Sequence, residues 1–271
     1  AIITMVTTQS GVIIVSKILD LESIGFYSLG VSLSMLPILI ASPVVLAAFP
    51  RLAELVALNE FQKLKEMYFS VIEIVGVLSI PIGVILIIFT PEILLFWTGL
   101  DEISESLINV TRLLLLGQIL QVSTVVPYYL LLANGNVRLT LMLGISSIAL
   151  IIPMQVYCVQ TFGLEGAGLG WLLLNIITIG PYVFFVHKDY MPAGLLRWAK
   201  NSLLLPATIS FCFSLLGLAI QRNNGSSLLQ IVIILSVWFL SVALLIIINK
   251  SLRNKCHSLL TRKRKKYVGN I

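Results

Sequence analysis

The chain has 271 residues, of which 58% are hydrophobic and 11% charged, with a mean hydropathy of +1.02. Soluble domains carry about a quarter charged residues, so this composition excludes an ordinary water-soluble domain and marks an all-α integral membrane protein. The net charge of +6 and the pI near 9.3 follow from the placement of the basic residues at helix ends, and they do not call for a nucleic-acid partner.

A run of about twenty apolar residues crosses a hydrocarbon core some 30 Å thick, and about eight such runs are expected. The first extends from Ile2 to Leu19. It opens at Ala1 already inside apolar sequence, with no Met, charged leader or cleavage site, so the chain reads as a fragment lacking an upstream part. The second run, Tyr27 to Phe49, is expected to stop at Pro50. Beyond it Leu52, Leu55, Leu58, Phe61, Leu64 and Met67 recur every third residue among charged neighbours, the pattern of an amphipathic helix lying in the interface over about residues 51–67. Six further runs follow at Ser70 to Trp97, Leu107 to Leu132, Thr140 to Val159, Ala167 to Val186, Leu203 to Ile220 and Leu228 to Ile248, and a basic tail closes the chain over 250–271. The connections are too short for any extramembrane domain. Pro37, Pro43, Pro81, Pro127, Pro153, Pro181 and Pro206 fall inside runs, where each removes a backbone donor and bends its helix, as suits a transporter that changes shape.

Basic residues near helix ends stay on the cytoplasmic side. With eight spans both termini share one side, and 15 of the 18 Lys and Arg residues fall there, from Arg51 and Lys63 to the tail. Lys17, Arg112 and Arg222 are left on the other side, whose connections are acidic. Both ends of the fragment are therefore expected to be cytoplasmic. The clustered tail cations also fit a contact with anionic membrane lipids.

Polar groups at membrane depth are costly and usually face a cavity or a partner. Lys17 lies near the outer end of the first span with Asp20 three residues on, a pair able to neutralise itself. Arg112 sits two turns into the fourth span, and Glu73 near the cytoplasmic start of the third. Asp20 and Glu73 are the candidates for ion coupling. Thr111, Gln118 and Tyr129 recur at near-whole turns of the fourth span with Gln121 adjoining. This stripe either lines a substrate path or bonds helices together, and Gln9 and Ser16 pose the same choice. Cys158, Cys212 and Cys256 are scattered, with no metal-ligand spacing, and neither a nucleotide motif nor a cofactor motif is present.

The stretch "LESIGFYSLGVSLSMLPILIASPVVLAAFPRLAEL" carries Gly25, Tyr27, Ser28 and Leu29, then Phe49, Pro50, Arg51 and Leu52. It resembles the region around the seventh and eighth spans of lipid-linked oligosaccharide flippases, the O-antigen and polysaccharide-export branch of the multidrug/oligosaccharidyl-lipid/polysaccharide exporter superfamily. "IPIGVILIIFTPEILLFWTG", "LLLANGNVRLTLMLGI" and "TFGLEGAGLGWLLLNI", the last with Gly163 and Gly166, are similar to later family segments in the same order. The resemblance implies a second six-helix lobe over 1–190, two additional helices over 191–249 and the basic tail, with a first lobe absent. It implies a bacterial inner-membrane transporter that moves an undecaprenyl-pyrophosphate-linked oligosaccharide outward by alternating access, driven by an ion gradient or the membrane potential. Gln9, Lys17, Arg112, Gln118, Gln121 and Tyr129 are then the substrate-path candidates, and a polysaccharide polymerase and a chain-length regulator are the protein partners to expect. A lipid II flippase or a drug/cation antiporter of the same superfamily is the nearest alternative. A membrane-embedded polymerase or glycosyltransferase is more distant, since it needs a substantial outer loop with paired catalytic groups.

Overall fold

The computed structural model describes residues 2–100, 102–221 and 227–249; the basic tail expected over 250–271 lies outside them. Every regular element among the described residues is helical: α1 (Ile2–Ile18), α2 (Leu21–Ser34), α3 (Leu36–Ala57), α4 (Phe61–Ile88), α5 (Thr90–Thr98), α6 (Glu105–Ala133), α7 (Val137–Asp189), α8 (Leu195–Ala199), a π-helical turn Lys200–Leu204, α9 (Leu205–Gln221) and α10 (Ser227–Ile248). Without water in the bilayer, backbone donors and acceptors are satisfied within each segment only by helices or closed barrels, which is why apolar runs of this length fold this way.

Six helices among the described residues are long and apolar enough to cross a membrane, with α2 and α3 counted as one. The 53 residues of α7 would reach about 80 Å as a straight rod, far beyond a bilayer. Gly163 breaks it, at φ 59 and ψ −136, a conformation open to glycine alone. The halves 137–162 and 164–189 fold back on each other so closely that a β-carbon at Gly166 would overlap the Cys158 carbonyl, and one at Gly170 would sit 2.7 Å from Gln155. Each half is long enough to span. With α1 as a shorter apolar helix of 17 residues, the architecture accommodates the eight runs.

Three expectations are corrected. The second run does not stop at Pro50: α3 continues through it to Ala57, because a proline near the exposed edge costs one backbone bond without preventing the next two turns. No separate interfacial helix forms over 51–67. A tight turn at Leu58–Glu60, with Asn59 at φ 54, joins α3 directly to α4. The three-residue leucine spacing belongs to two helix ends packed side by side, which bury Leu52, Leu55 and Leu64 while Leu58 and Phe61 stay exposed. The third run is likewise two helices, since Pro91 in the first turn of α5 has no N–H to continue α4 beyond Phe89.

The central member is α6, which touches α2, α3, α4 and α7. One core joins α3, α4, α6, the second half of α7 and α8 at the end holding the 58–60 and 134–136 turns; Leu52, Tyr68, Phe69, Leu130 and Val186 are fully buried there. Arg51, Lys63, Lys65, Arg138, Lys188, Arg197 and Lys200 sit at or near this end, so we call it the basic end. A second core joins α1, α2, α6 and α7 through Val15, Tyr27, Val110 and Ala167 towards the opposite end. Helices α9 and α10 pack on each other and against α4, with Leu245 and Val77 buried between them. Exposed leucines, isoleucines and phenylalanines along α7, α9 and α10 form the lipid-facing surface.

Candidate functional site

On α1, Gln9 and Lys17 are exposed, and Ser16 donates to the Ile13 carbonyl of its own helix at 2.8 Å. Lys17 does not hold Asp20. The Asp20 carboxylate instead caps α2, accepting from the Ser23 backbone N–H at 3.0 Å. Ser23, through its hydroxyl first and its backbone second, holds the Asp20 carboxyl below the ordinary carboxylate range. Of the motif residues, Gly25 is exposed with open space around it, while Tyr27 is buried with its hydroxyl end against Gly11. Sequence reasoning missed the nearby contact from the Ser10 hydroxyl to Gln155 Oε1 at 3.2 Å, which ties α1 to α7.

The polar stripe of α6 is mostly packed. Thr111 is fully buried, bonds the Leu107 carbonyl at 2.7 Å and closes against Gly30 of α2. Gln118, also buried, donates to Gln121 Oε1 at 2.7 Å, one bond between neighbouring amides of the same helix. Arg112 turns into the protein: its Nε donates to the Ile87 carbonyl at 3.1 Å. Pro91 would be the helical donor to that carbonyl and has no N–H; the Thr90 hydroxyl lies 3.0 Å from it but has its shorter bond, 2.6 Å, to the Leu86 carbonyl.

Tyr129 lies at the basic end in a row of aromatic rings. It meets Phe49 of α3 edge-on at a centroid distance of 5.5 Å and Tyr128 at 5.3 Å, and Tyr128 meets Tyr182 of α7 at 5.9 Å. All four side chains are partly exposed. Tyr128 and Tyr182 were not singled out from the sequence; their signal is only that Tyr182 follows Pro181, and tertiary packing brings them together. Pro50 and Arg51 are exposed beside this row, and Arg51 pairs with Glu54 at 2.7 Å in a solvent-facing contact worth little.

Glu73 is almost fully buried, at 2% exposure. Its Oε1 accepts from Arg197 Nη2 at 2.9 Å and from Asn201 Nδ2 at 3.0 Å, which joins α4 to α8 and the π-helical turn. The Arg197 guanidinium also rests on the Phe69 ring, 4.4 Å from its centre. Around this junction His187 lies between the Tyr68 and Trp198 rings, and Trp198 Nε1 donates to the Ser123 carbonyl at 3.2 Å. Arg197 and Asn201 stand more than 120 positions from Glu73, and only the fold shows the pairing.

Among the described residues no group of three His, Cys, Asp or Glu side chains is placed to hold a metal. A cavity of about 230 Å³ between α5 and α10 is lined by Ile93, Phe96, Ile231, Ile234 and Leu235, with Glu92 and Gln230. It is smaller than an ordinary small-molecule site and too apolar for a glycan.

Residues 1–101 match the family described as "Polysaccharide biosynthesis protein". A Shigella flexneri protein named for O-antigen transport is 22% identical over 164 residues, 60% of this chain and 38% of that protein. "Lipopolysaccharide biosynthesis protein WzxC" of Escherichia coli (strain K12) is 25% identical over 216 residues, 77% of this chain and 43% of that protein. The chain thus spans less than half the length of these relatives. No solved structure gives a significant match. These matches bear out the resemblance to O-antigen flippases of the polysaccharide exporter family.

Proposed function

We propose that this chain is one lobe, over 1–190, and two additional helices, over 191–249, of an inner-membrane flippase that carries an undecaprenyl-pyrophosphate-linked oligosaccharide of the O-antigen or a related surface glycan. The observation that carries this reading is the alignment of most of the chain with a lipopolysaccharide biosynthesis protein and a protein named for O-antigen transport. The physical logic agrees with it. A pyrophosphate and a polar glycan cannot enter hydrocarbon, whereas a polyprenyl tail can remain there. Lys17 and Gln9 on the exposed face of α1, and the half-exposed Gln121 and tyrosine row, supply a cation, amides and aromatic faces for such a head group.

Transport proceeds by alternating access, this lobe rocking against a partner lobe supplied by the rest of the protein, with an ion gradient or the membrane potential as the drive. The basic end faces the cytoplasm, in line with the retention of Lys and Arg there. A polymerase and a chain-length regulator receive the product on the outer side.

The test is deletion of the full-length gene in its own host. Surface glycan should disappear, lipid-linked repeat units should accumulate on the inner leaflet, and the intact gene should restore export. Normal glycan display with arrested cell-wall synthesis would identify a lipid II flippase; normal display with altered drug sensitivity would identify an antiporter. Reporter fusions at the 58–60 turn check the orientation, and an outer-face signal there would refute it.

A further inference from the structure

Each proline inside a helix frees the carbonyl four residues before it, and the fold treats these carbonyls in different ways. Pro91 leaves the Ile87 carbonyl to accept from Arg112 Nε at 3.1 Å, and Pro127 leaves the Ser123 carbonyl to accept from Trp198 Nε1 at 3.2 Å. Pro81 and Pro206 free the carbonyls of Val77 and Ser202, both buried residues. On α3 the outcome differs. Pro43 and Pro50 have no N–H for the carbonyls of Leu39 and Leu46, and these residues are 61% and 54% exposed. No side chain among the described residues donates to either carbonyl; the neighbouring Ser42 hydroxyl instead bonds the Ile38 carbonyl at 2.7 Å. Pro153 and Pro181 free one carbonyl each on separate stretches of α7, whereas α3 carries two on one face.

That face is well defined. Leu39, Pro43, Leu46, Ala47 and Pro50 are exposed along one side of α3, while Ala41, Val45, Ala48 and Leu52 turn to the side that packs on α4 and α6. Acceptors without donors at membrane depth fit badly against hydrocarbon and well against water or a donor-bearing ligand. We propose that the exposed proline face of α3 is a hydrogen-bond acceptor site for the neutral hydroxyl groups of a glycan head group, with the Leu39 and Leu46 carbonyl oxygens as its acceptors. The two lie seven residues apart, two helical turns or about 10 Å, so one extended head group can meet both.

The chemistry of the face selects the ligand. No charged residue occurs from Leu36 to Pro50, so the site offers carbonyl oxygens alone, which repel a phosphate or carboxylate. A cationic amine would need a carboxylate beside them, and the nearest in sequence, Glu54, is already paired with Arg51 at 2.7 Å. Hydroxyl groups remain: they donate, carry no charge and are plentiful on a sugar. Helix carbonyls point towards the C-terminal end, so the Leu46 oxygen is directed at the turn holding Phe49 and Pro50. The half-exposed Phe49 ring there meets Tyr129 edge-on, which sets an aromatic face beside the acceptor. The inference rests on the flippase reading and assigns sugar recognition to residues with no polar side chain.

The test gives the missing donors back. Pro43→Ala and Pro50→Ala each restore an N–H, so the helix itself takes up the Leu39 or Leu46 carbonyl and gains propensity. The full-length protein in lipid nanodiscs is offered two probes: lipid-linked repeat units extracted from its host, and undecaprenyl pyrophosphate without sugar. Each substitution should weaken binding of the sugar-bearing probe ~5-fold and the pair together ~25-fold, with the sugar-free lipid bound as in the wild type. Pro153→Ala, the same change on α7, should alter neither. With the native cysteines replaced, Ala47→Cys should react with a water-soluble thiol reagent, and the sugar-bearing probe should slow that reaction; this arm decides if a proline variant fails to fold. Unchanged affinity in both proline variants, or an equal loss for both probes, overturns the site alone. So does Ala47→Cys that stays unreactive, which would mark a face covered by another helix. A wild type that does not bind the sugar-bearing probe sinks the flippase reading and the site with it.

Discussion

Arg112 Nε donates to the carbonyl oxygen of Ile87 at 3.1 Å, the carbonyl that Pro91 leaves without its helical donor. A cation two turns inside a span thus serves as the substitute for a missing N–H, and it fixes α6 to the junction of α4 and α5. Arg112→Met keeps the bulk and removes the donor. Unfolding in nanodiscs should then require about 1–2 kcal/mol less, with Arg112→Lys in between. An unchanged stability for Arg112→Met would release the residue for a role in the transport path.

The fold-back at Gly163 makes a sharp pair of expectations. Gly166→Ala places a methyl group on the Cys158 carbonyl, a backbone atom that cannot rotate away, so yield and thermal stability should fall by the equivalent of about 1–3 kcal/mol or more. Gly163→Ala should lose about 1–3 kcal/mol through its φ of 59 and ψ of −136, although nothing crowds its side. Gly25→Ala, in open space on α2, is the control and should be close to neutral.

Asp20 gives a dependence on pH whose sign is fixed. Its carboxyl lies below the ordinary carboxylate range because Ser23 donates to the ionised form. That stabilisation is fully present above the unfolded value and disappears as pH falls through the lower, folded value. Exchange protection of the first turn of α2 should therefore be level through neutral pH and fall only in acid. Asp20→Asn should keep the cap and abolish the acid loss; Asp20→Ala should lose protection at every pH. A change near neutrality in the wild type would point instead to a coupling role.

The edge-on contact of Tyr129 with Phe49 separates packing from polarity. Tyr129→Ala should cost about 0.5–1.5 kcal/mol beyond its buried area. Tyr129→Phe should stay within about 0.5 kcal/mol of the wild type in stability yet lower surface glycan display, if the hydroxyl faces the substrate. Equal display in the two would confine Tyr129 to packing.

The number and order of the spans were legible because hydrocarbon demands a run of fixed length and charged residues interrupt it sharply. The boundary between the fifth and sixth runs was legible for the same reason, whereas Gly163 stood out only as a motif residue and its role as the break came from the fold. The segment after Pro50 was misread because leucines at every third position serve equally for a helix lying flat and for two helix ends packed together. What decides between them is the positive φ of Asn59, which composition does not announce. The candidates on α6 were found by depth in the span, but depth does not tell whether Thr111 and Gln118 look into a cavity or into a neighbouring helix. Glu73 was visible as a carboxylate near a helix start, whereas its bond to Arg197 depends on how the chain returns after α7.

The fold-back within α7 also bears on how the protein is made. A single glycine separates the two arms, and Cys158 and Gly166, five residues before it and three after, already meet. The polar side chains there are few, Gln160 and Thr161 before the glycine and Glu165 after it. The two arms are therefore expected to enter the lipid as one hairpin, with no separate extramembrane segment between them.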